Sequence, residues 1–116
     1  MRRKYTDYIE DILDSIKKAK KFTENMSFKE FAQDDKTIFA VIRALEIVGE
    51  AAKKIPYKIR AKYPEIPWKE IAGMRDKLIH EYFGIKLEVV WETVKKEIPS
   101  IEPEFEKILK DLENET

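Results

Sequence analysis

The chain has 116 residues, a length that suits one domain (1–116) with one hydrophobic core and excludes a second module. Its 43% hydrophobic and 40% charged residues exclude a disordered chain, and 23 basic against 23 acidic side chains exclude a globally basic nucleic-acid binder. The absence of cysteine excludes a disulfide framework, thiolate metal ligands and a cysteine nucleophile, and it suits the reducing cytoplasm.

Apolar residues recur at helical spacing along almost the whole chain, without the two-residue alternation that is typical of a strand. The amino-terminal residues show no apolar core of a signal peptide. No stretch reaches the ~18 apolar residues of a membrane span. We therefore expect a cytoplasmic, all-helical protein that binds no membrane. The predicted helices cover residues 5–22, 38–55, 57–63, 67–83, 87–98 and 101–112.

Capping and helix-breaking residues mark where these helices begin and end. Ser27 and Glu30 match a capping box, which opens a short turn after the first helix. Pro56 is expected to end the helix before it, and Pro67 suits the first position of the next long helix.

The remaining boundaries follow from three residues near the carboxyl end of the chain. Gly84 is well placed to terminate the helix over 67–83, and Pro99 is expected to stop the helix over 87–98. Ser100 can then cap the last helix. The predicted fold is an all-α, antiparallel up-down bundle of four or five main helices.

The chemistry-bearing residues lie in the segment that reads Arg-x-x-x-x-His-x-Tyr, formed by Arg75, His80 and Tyr82. On a wheel of about 100° per residue, Arg75 falls in the middle of an apolar face that includes Trp68 and Ile71. A guanidinium there is costly unless it is paired or faces a wet cleft, which favours a functional role over a bland salt bridge.

The chain contains a single histidine, His80, in the last turn of the predicted helix. The negative end of the helix dipole favours the imidazolium there, and Asp76, one turn earlier, can fix its tautomer. Such a histidine is a credible general acid or base near neutral pH. The pattern leaves open a second interpretation, in which the side chain merely caps a helix end.

Arg75 and His80 together form a minimal set for RNA cleavage by the ribose 2′-hydroxyl without a metal, since one binds developing charge and the other moves protons. Five residues apart on a helix, they point about 140° away from each other. If the spacing serves catalysis, it therefore favours a homodimer with a shared cleft. One histidine and three isolated glycines support neither a metal site nor a phosphate loop, so no cofactor is expected.

At this motif the sequence resembles the HEPN superfamily, and specifically its HepT-like branch. The likeness covers essentially the whole chain. It includes the Val90-Trp91 helix and three segments before and within the motif: Gly49-Glu50-Ala51-Ala52, Ile66-Pro67-Trp68, and Ile71 through Tyr82.

The resemblance implies a dimeric endoribonuclease toxin with Arg75 and His80 in catalytic roles and Asp76 supporting the site. It also implies a partner, an MntA-like nucleotidyltransferase antitoxin that adds AMP to Tyr82. AMP at that position would oppose RNA binding through like charge and occlusion. Without the resemblance, Tyr82 would be interpreted as a core aromatic residue.

Two other functions stay open from the residues: a non-catalytic nucleotide-binding or adaptor subunit of a small nucleotidyltransferase, and a purely structural helical partner. For Gly49 we expect a close helix crossing, and for Glu50 a salt bridge. Arg43 is expected to be a helix-face charge, and the tryptophans Trp68 and Trp91 core or dimer anchors. For Lys53, Lys54, Lys58, Arg60 and Lys62 solvent exposure is the default, with guidance of RNA as the alternative.

Overall fold

The computed structural model describes residues 4–80 and 86–114, and for 75–80 it describes the helical backbone. These ranges contain helices and no strand, which confirms the predicted all-α class. No helix in them is long and apolar enough to cross a membrane. The helices are α1 (Tyr5–Phe22), α2 (Phe28–Ala32), α3 (Asp35–Lys53), α4 (Tyr57–Arg60), α5 (Trp68–His80), α6 (Leu87–Glu92) and α7 (Ile98–Asn114), with a π-helical segment (Thr93–Glu97) between the last two.

The central helix of the bundle is α3, which packs against α1 on one side and against α5 on the other. The amphipathic helices α1 and α7 close the bundle, with their apolar faces turned inward. Each fully buried Ile, Leu or Phe contributes about 1.5–3 kcal/mol relative to an exposed one. The largest fully buried side chains are Phe31, Phe105, Ile9, Ile12, Ile16, Leu45, Ile55, Ile98, Ile108, Val41, Val48 and Val90.

Ion pairs on the surface show that α1 and α7 run antiparallel, as predicted. Lys17 Nζ lies 3.0 Å from Glu106 Oε1, and Lys20 Nζ lies 2.6 Å from Glu102 Oε1. The residue numbers rise along α1 while those of the partners fall along α7. Exposed pairs of this kind contribute about 0–1 kcal/mol each, so they mark the alignment more than they stabilise it.

The predicted capping box is confirmed at the start of α2. The Ser27 backbone N–H donates to Glu30 Oε1 at 2.9 Å, and the Glu30 N–H donates to Ser27 Oγ at 3.1 Å. The bond from the Ser27 backbone lowers the pKa of Glu30 below its ordinary value. Asp34 caps α3 in a similar way, and the bond from the Thr37 backbone lowers the pKa of Asp34 below its ordinary value. Because of this cap, α3 begins at Asp35, three residues before the predicted start.

The predicted break at Pro99 is wrong, because the helical path continues from Leu87 to Asn114. Just before the proline, the Ile98 N–H bonds to Thr93 O, five residues back, in a widened π-helical turn. This turn changes the register of the backbone carbonyls that a proline ring would otherwise strike. Ser100 therefore caps no helix start, and its Oγ donates to Glu97 O at 2.6 Å.

Two further boundaries differ from the predictions. The helix α4 ends at Arg60, so the predicted helix over 57–63 is too long. The helix α5 begins at Trp68, one residue after the predicted start, and Pro67 O accepts its first bond from the Ile71 N–H at 3.0 Å. The predicted end of this helix at Gly84 lies outside the described residues.

Candidate active site

The helix α5 carries the predicted site, and the buried Trp68 fixes its first turn. The indole Nε1 of Trp68 donates a hydrogen bond to Tyr63 O at 3.0 Å. Its ring meets Phe105 of α7 edge to face, with centroids 5.5 Å apart. With Ile66 and Ile71 also buried, the start of α5 has one well-defined position on the bundle.

The guanidinium of Arg60 joins α3 and α4 beneath the start of α5. Its Nη2 donates to Ala52 O in the last turn of α3 and its Nε donates to Ile55 O just after the helix, both at 2.9 Å. The same guanidinium lies 5.9 Å from the centroid of the Trp68 ring. The expectation that Arg60 is solvent-exposed is therefore wrong, because its guanidinium donates hydrogen bonds to two backbone carbonyls.

A third contact ties the segment before α5 to α7. The hydroxyl of Tyr63 donates to Asp111 Oδ2 at 2.6 Å, and the Tyr63 ring is buried. Arg60, Tyr63 and Asp111 thus position α5, and sequence reasoning did not identify any of these roles. A hydrogen bond between residues 48 apart leaves no spacing signal in one sequence.

The backbone of α5 is helical through Arg75, Asp76 and His80. With a rise of 1.5 Å per residue, Arg75 lies about 10 Å along the axis from Trp68, and His80 about 7.5 Å further. The two positions are separated by about 140° around the axis, whereas Asp76 and His80 lie one turn apart on the same side. The side chains of these three residues, and Tyr82 as a whole, lie outside the described residues.

The part of α3 that shares the family-like Gly49-Glu50-Ala51-Ala52 sequence packs close to its neighbours. Gly49 is buried in α3, the helix that packs against α1 and α5, and the close helix crossing expected at Gly49 stays a prediction. Glu50 Oε1 lies 3.7 Å from Arg43 Nη1, two turns earlier on the same face. The salt-bridge interpretation of Glu50 is therefore confirmed, and Arg43 is an exposed helix-face charge as expected.

The two tryptophans belong to the core, as expected. Trp68 is buried, and Trp91 of α6 is partly buried against α2, with its ring centroid 5.2 Å from that of Phe31 and 6.1 Å from that of Phe28. Lys95 Nζ lies 4.8 Å above the Trp91 ring and adds a cation–π contact. Among the side chains that the structure describes, those of 4–74 and 86–114, no group of three or more metal-ligating residues comes together.

Comparison with known proteins defines the class of this helical bundle. Residues 12–108 match the family model described as Ribonuclease HepT-like. The chain therefore belongs to the HepT-like family of ribonucleases, as its motif indicates.

Named relatives cover nearly the full length of the chain. A probable ribonuclease HepT of Thermococcus cleftensis is 54% identical over 110 residues, which are 95% of this chain and 100% of the relative. A putative RNase of Methanocaldococcus jannaschii is 54% identical over 112 residues, 97% of this chain and 93% of the relative. One of Caldanaerobacter subterraneus is 47% identical over 102 residues, 88% and 91% of the two chains. No solved structure matches the chain significantly.

Proposed function

We propose that this chain is the endoribonuclease toxin of a HepT–MntA-type toxin–antitoxin pair, acting in the cytoplasm and cutting RNA without a metal ion. The observation that carries the proposal is the Arg75-to-His80 spacing on the helical backbone of α5, in a chain of a ribonuclease family. Arg75 and His80 have the catalytic roles, and Asp76 supports the imidazole.

The proposed reaction needs charge neutralisation and two proton transfers. The ribose 2′-oxygen attacks the adjacent phosphorus and forms a P–O bond, while the bond from phosphorus to the 5′-oxygen of the next nucleotide breaks. His80 takes the proton of the 2′-hydroxyl or returns a proton to the leaving 5′-oxygen. Arg75 binds the negative charge that grows on the phosphate oxygens in the transition state.

We propose that the active form is a homodimer, since the helical spacing aims Arg75 and His80 of one subunit in different directions. A two-fold axis allows Arg75 of one subunit and the partner subunit's His80 to act on one phosphate. Phe39 of α3, which is 59% exposed, is one candidate contact for such an interface.

The proposed control acts on Tyr82. The MntA-like nucleotidyltransferase transfers AMP from ATP to the tyrosine oxygen, forming an oxygen–phosphorus bond and releasing pyrophosphate. The product places a bulky anion two residues from His80, where the anionic RNA backbone has to bind. The modified chain is then inactive through repulsion and occlusion.

A direct test is RNA cleavage by the purified chain in EDTA, beside Arg75→Ala and His80→Ala. We expect cleavage by the wild type and a loss of at least 100-fold in both variants, as is typical for removal of a catalytic acid, base or charge-binding group. Equal background in all three proteins would favour the non-catalytic adaptor instead.

A further inference from the structure

An exposed aromatic residue lies between two lysines at the junction of α3 and α4. Tyr57 is 82% exposed, more than any other large apolar side chain in the part of the chain that the structure describes. Lys54 and Lys58 flank it in sequence, and both side chains are exposed. We call these three residues the Tyr57 patch.

The patch rests on a rigid support. Ile55 and Ile59, which alternate with its residues, are buried in the core and hold the α3–α4 junction down. Arg60 bonds one carbonyl in the last turn of α3 and one just after it, and so fixes the relation between the two helices. The backbone that carries Tyr57 is therefore fixed, so a ligand has to order only the side chains of the patch when it binds.

The charge around the patch is one-sided. From 51 to 69 the sequence has six lysines and arginines against one acidic residue, Glu65. Neither Lys54 nor Lys58 forms an ion pair with any described residue, whereas Lys17 and Lys20 on α1 have glutamate partners on α7. A positive surface with an unpacked aromatic ring is the combination that binds unpaired nucleotides.

We propose that the Tyr57 patch binds the single-stranded RNA substrate away from the cleavage site. One unpaired base stacks on the Tyr57 ring, and Lys54 and Lys58 contact the neighbouring phosphates. Duplex RNA is excluded from this contact because its bases are stacked on one another. The inference rests on the proposed function and narrows its substrate class to single strands.

The position of the patch sets a minimum substrate length. Arg60 lies against Trp68, so the patch is near the start of α5, and Arg75 and His80 lie about 10 and 18 Å further along the helix axis. The proposal places Tyr57 beyond the reach of a dinucleotide held at the cleavage site, whereas a longer strand contacts both. The patch should thus affect the KM of a 12-nucleotide RNA and leave dinucleotide cleavage unchanged.

Binding is measured by anisotropy with a fluorescent, unstructured 12-nucleotide RNA and full-length His80→Ala protein, which removes cleavage. In this background Tyr57→Ala should weaken binding about tenfold, and Tyr57→Phe should retain it because the ring remains. The double change of Lys54 and Lys58 to Ala should lower the salt slope of log K by about 1.4, or about 0.7 for each phosphate contact. A matched control is the double change of Lys29 and Lys36 to Ala, which removes two exposed lysines from α2 and α3 and should leave binding unchanged.

Thermal melting of each variant establishes that it is folded. Unchanged RNA binding by folded Tyr57→Ala would overturn the proposal. Equal weakening of single strands and of a 12-base-pair duplex would also overturn it, because that result indicates charge attraction without stacking. If the wild type binds RNA through the patch and does not cleave it, the nuclease proposal fails and the patch stands. If Tyr57→Ala has a wild-type KM on long RNA, the patch fails and the nuclease stands.

Discussion

The hydroxyl of Tyr63 lies 2.6 Å from Oδ2 of Asp111 and joins the segment before α5 to α7. Together with the Trp68 indole bond to Tyr63 O, it fixes the start of the helix that carries Arg75 and His80. The position of the candidate site thus depends on contacts at the start of α5, the end of the helix opposite His80.

Replacing Tyr63 by Phe should remove this bond and leave the ring in place. We expect the free energy of unfolding to fall by about 1–2 kcal/mol, because the bond is made to a carboxylate. Urea denaturation monitored by circular dichroism measures the change. Tyr57→Phe is the matched control, since it removes an exposed hydroxyl and should change stability by less than about 0.5 kcal/mol. Equal effects of the two substitutions would contradict the structural role of the Tyr63 bond.

Stability should decrease in acid partly through the caps of α2 and α3. The folded pKa values of Glu30 and Asp34 lie below the ordinary values of these carboxyl groups, because their carboxylates accept backbone bonds from Ser27 and Thr37. Their stabilising contribution is complete above these ordinary values and is lost as the pH falls through the lowered ones. Glu30→Gln should therefore lose less Tm than the wild type between pH 6 and pH 3.

A control for the acid experiment is Glu65→Gln, at an exposed carboxylate to which no described residue donates a hydrogen bond. This variant should follow the wild-type Tm closely. If Glu30→Gln loses as much Tm as the wild type across the same range, the cap does not account for the acid sensitivity.

In the proposed toxin–antitoxin pair, Tyr82 should be the residue that the nucleotidyltransferase modifies. Incubation with an MntA-like nucleotidyltransferase and ATP should add the mass of AMP to the wild type and abolish its RNA cleavage. Tyr82→Phe lacks the accepting oxygen, so it should gain no mass and stay active. Mass spectrometry and a cleavage assay measure both effects, with Tyr57→Phe as a control that retains the modified oxygen. Loss of cleavage by Tyr82→Phe after the same incubation would contradict this role.

Local chemistry made much of the fold predictable from the sequence. The apolar spacing gave the helices, and the Ser27–Glu30 box was visible because its partners are three residues apart. The prediction of a helix end at Pro99 was wrong because a π-helical turn allows the helix to continue past the proline. No residue type indicates such a turn. The Arg60 and Tyr63 contacts were not predictable because they depend on packing between elements that are separate in sequence.

The candidate site was likewise predictable where its residues are close in sequence and not where it depends on packing. The spacing of Arg75, Asp76 and His80 was readable because one helix carries all three, and the backbone of α5 agrees with that helix. The proposed shared site also needs an interface between two subunits. The residue spacing of one chain does not indicate which surfaces form that interface. The spacing within α5 could thus be predicted from one chain, whereas the assembly of the site could not.

The central claim is that two subunits bring a guanidinium and an imidazole to the same phosphate. Its most direct test is to unfold Arg75→Ala and His80→Ala together, refold them as a mixture, and measure RNA cleavage in EDTA. Half of the dimers should be mixed, each with one intact site of two, so activity should return to about a quarter of the wild type. Mixed dimers that form and stay as inactive as the separate variants would contradict the shared site.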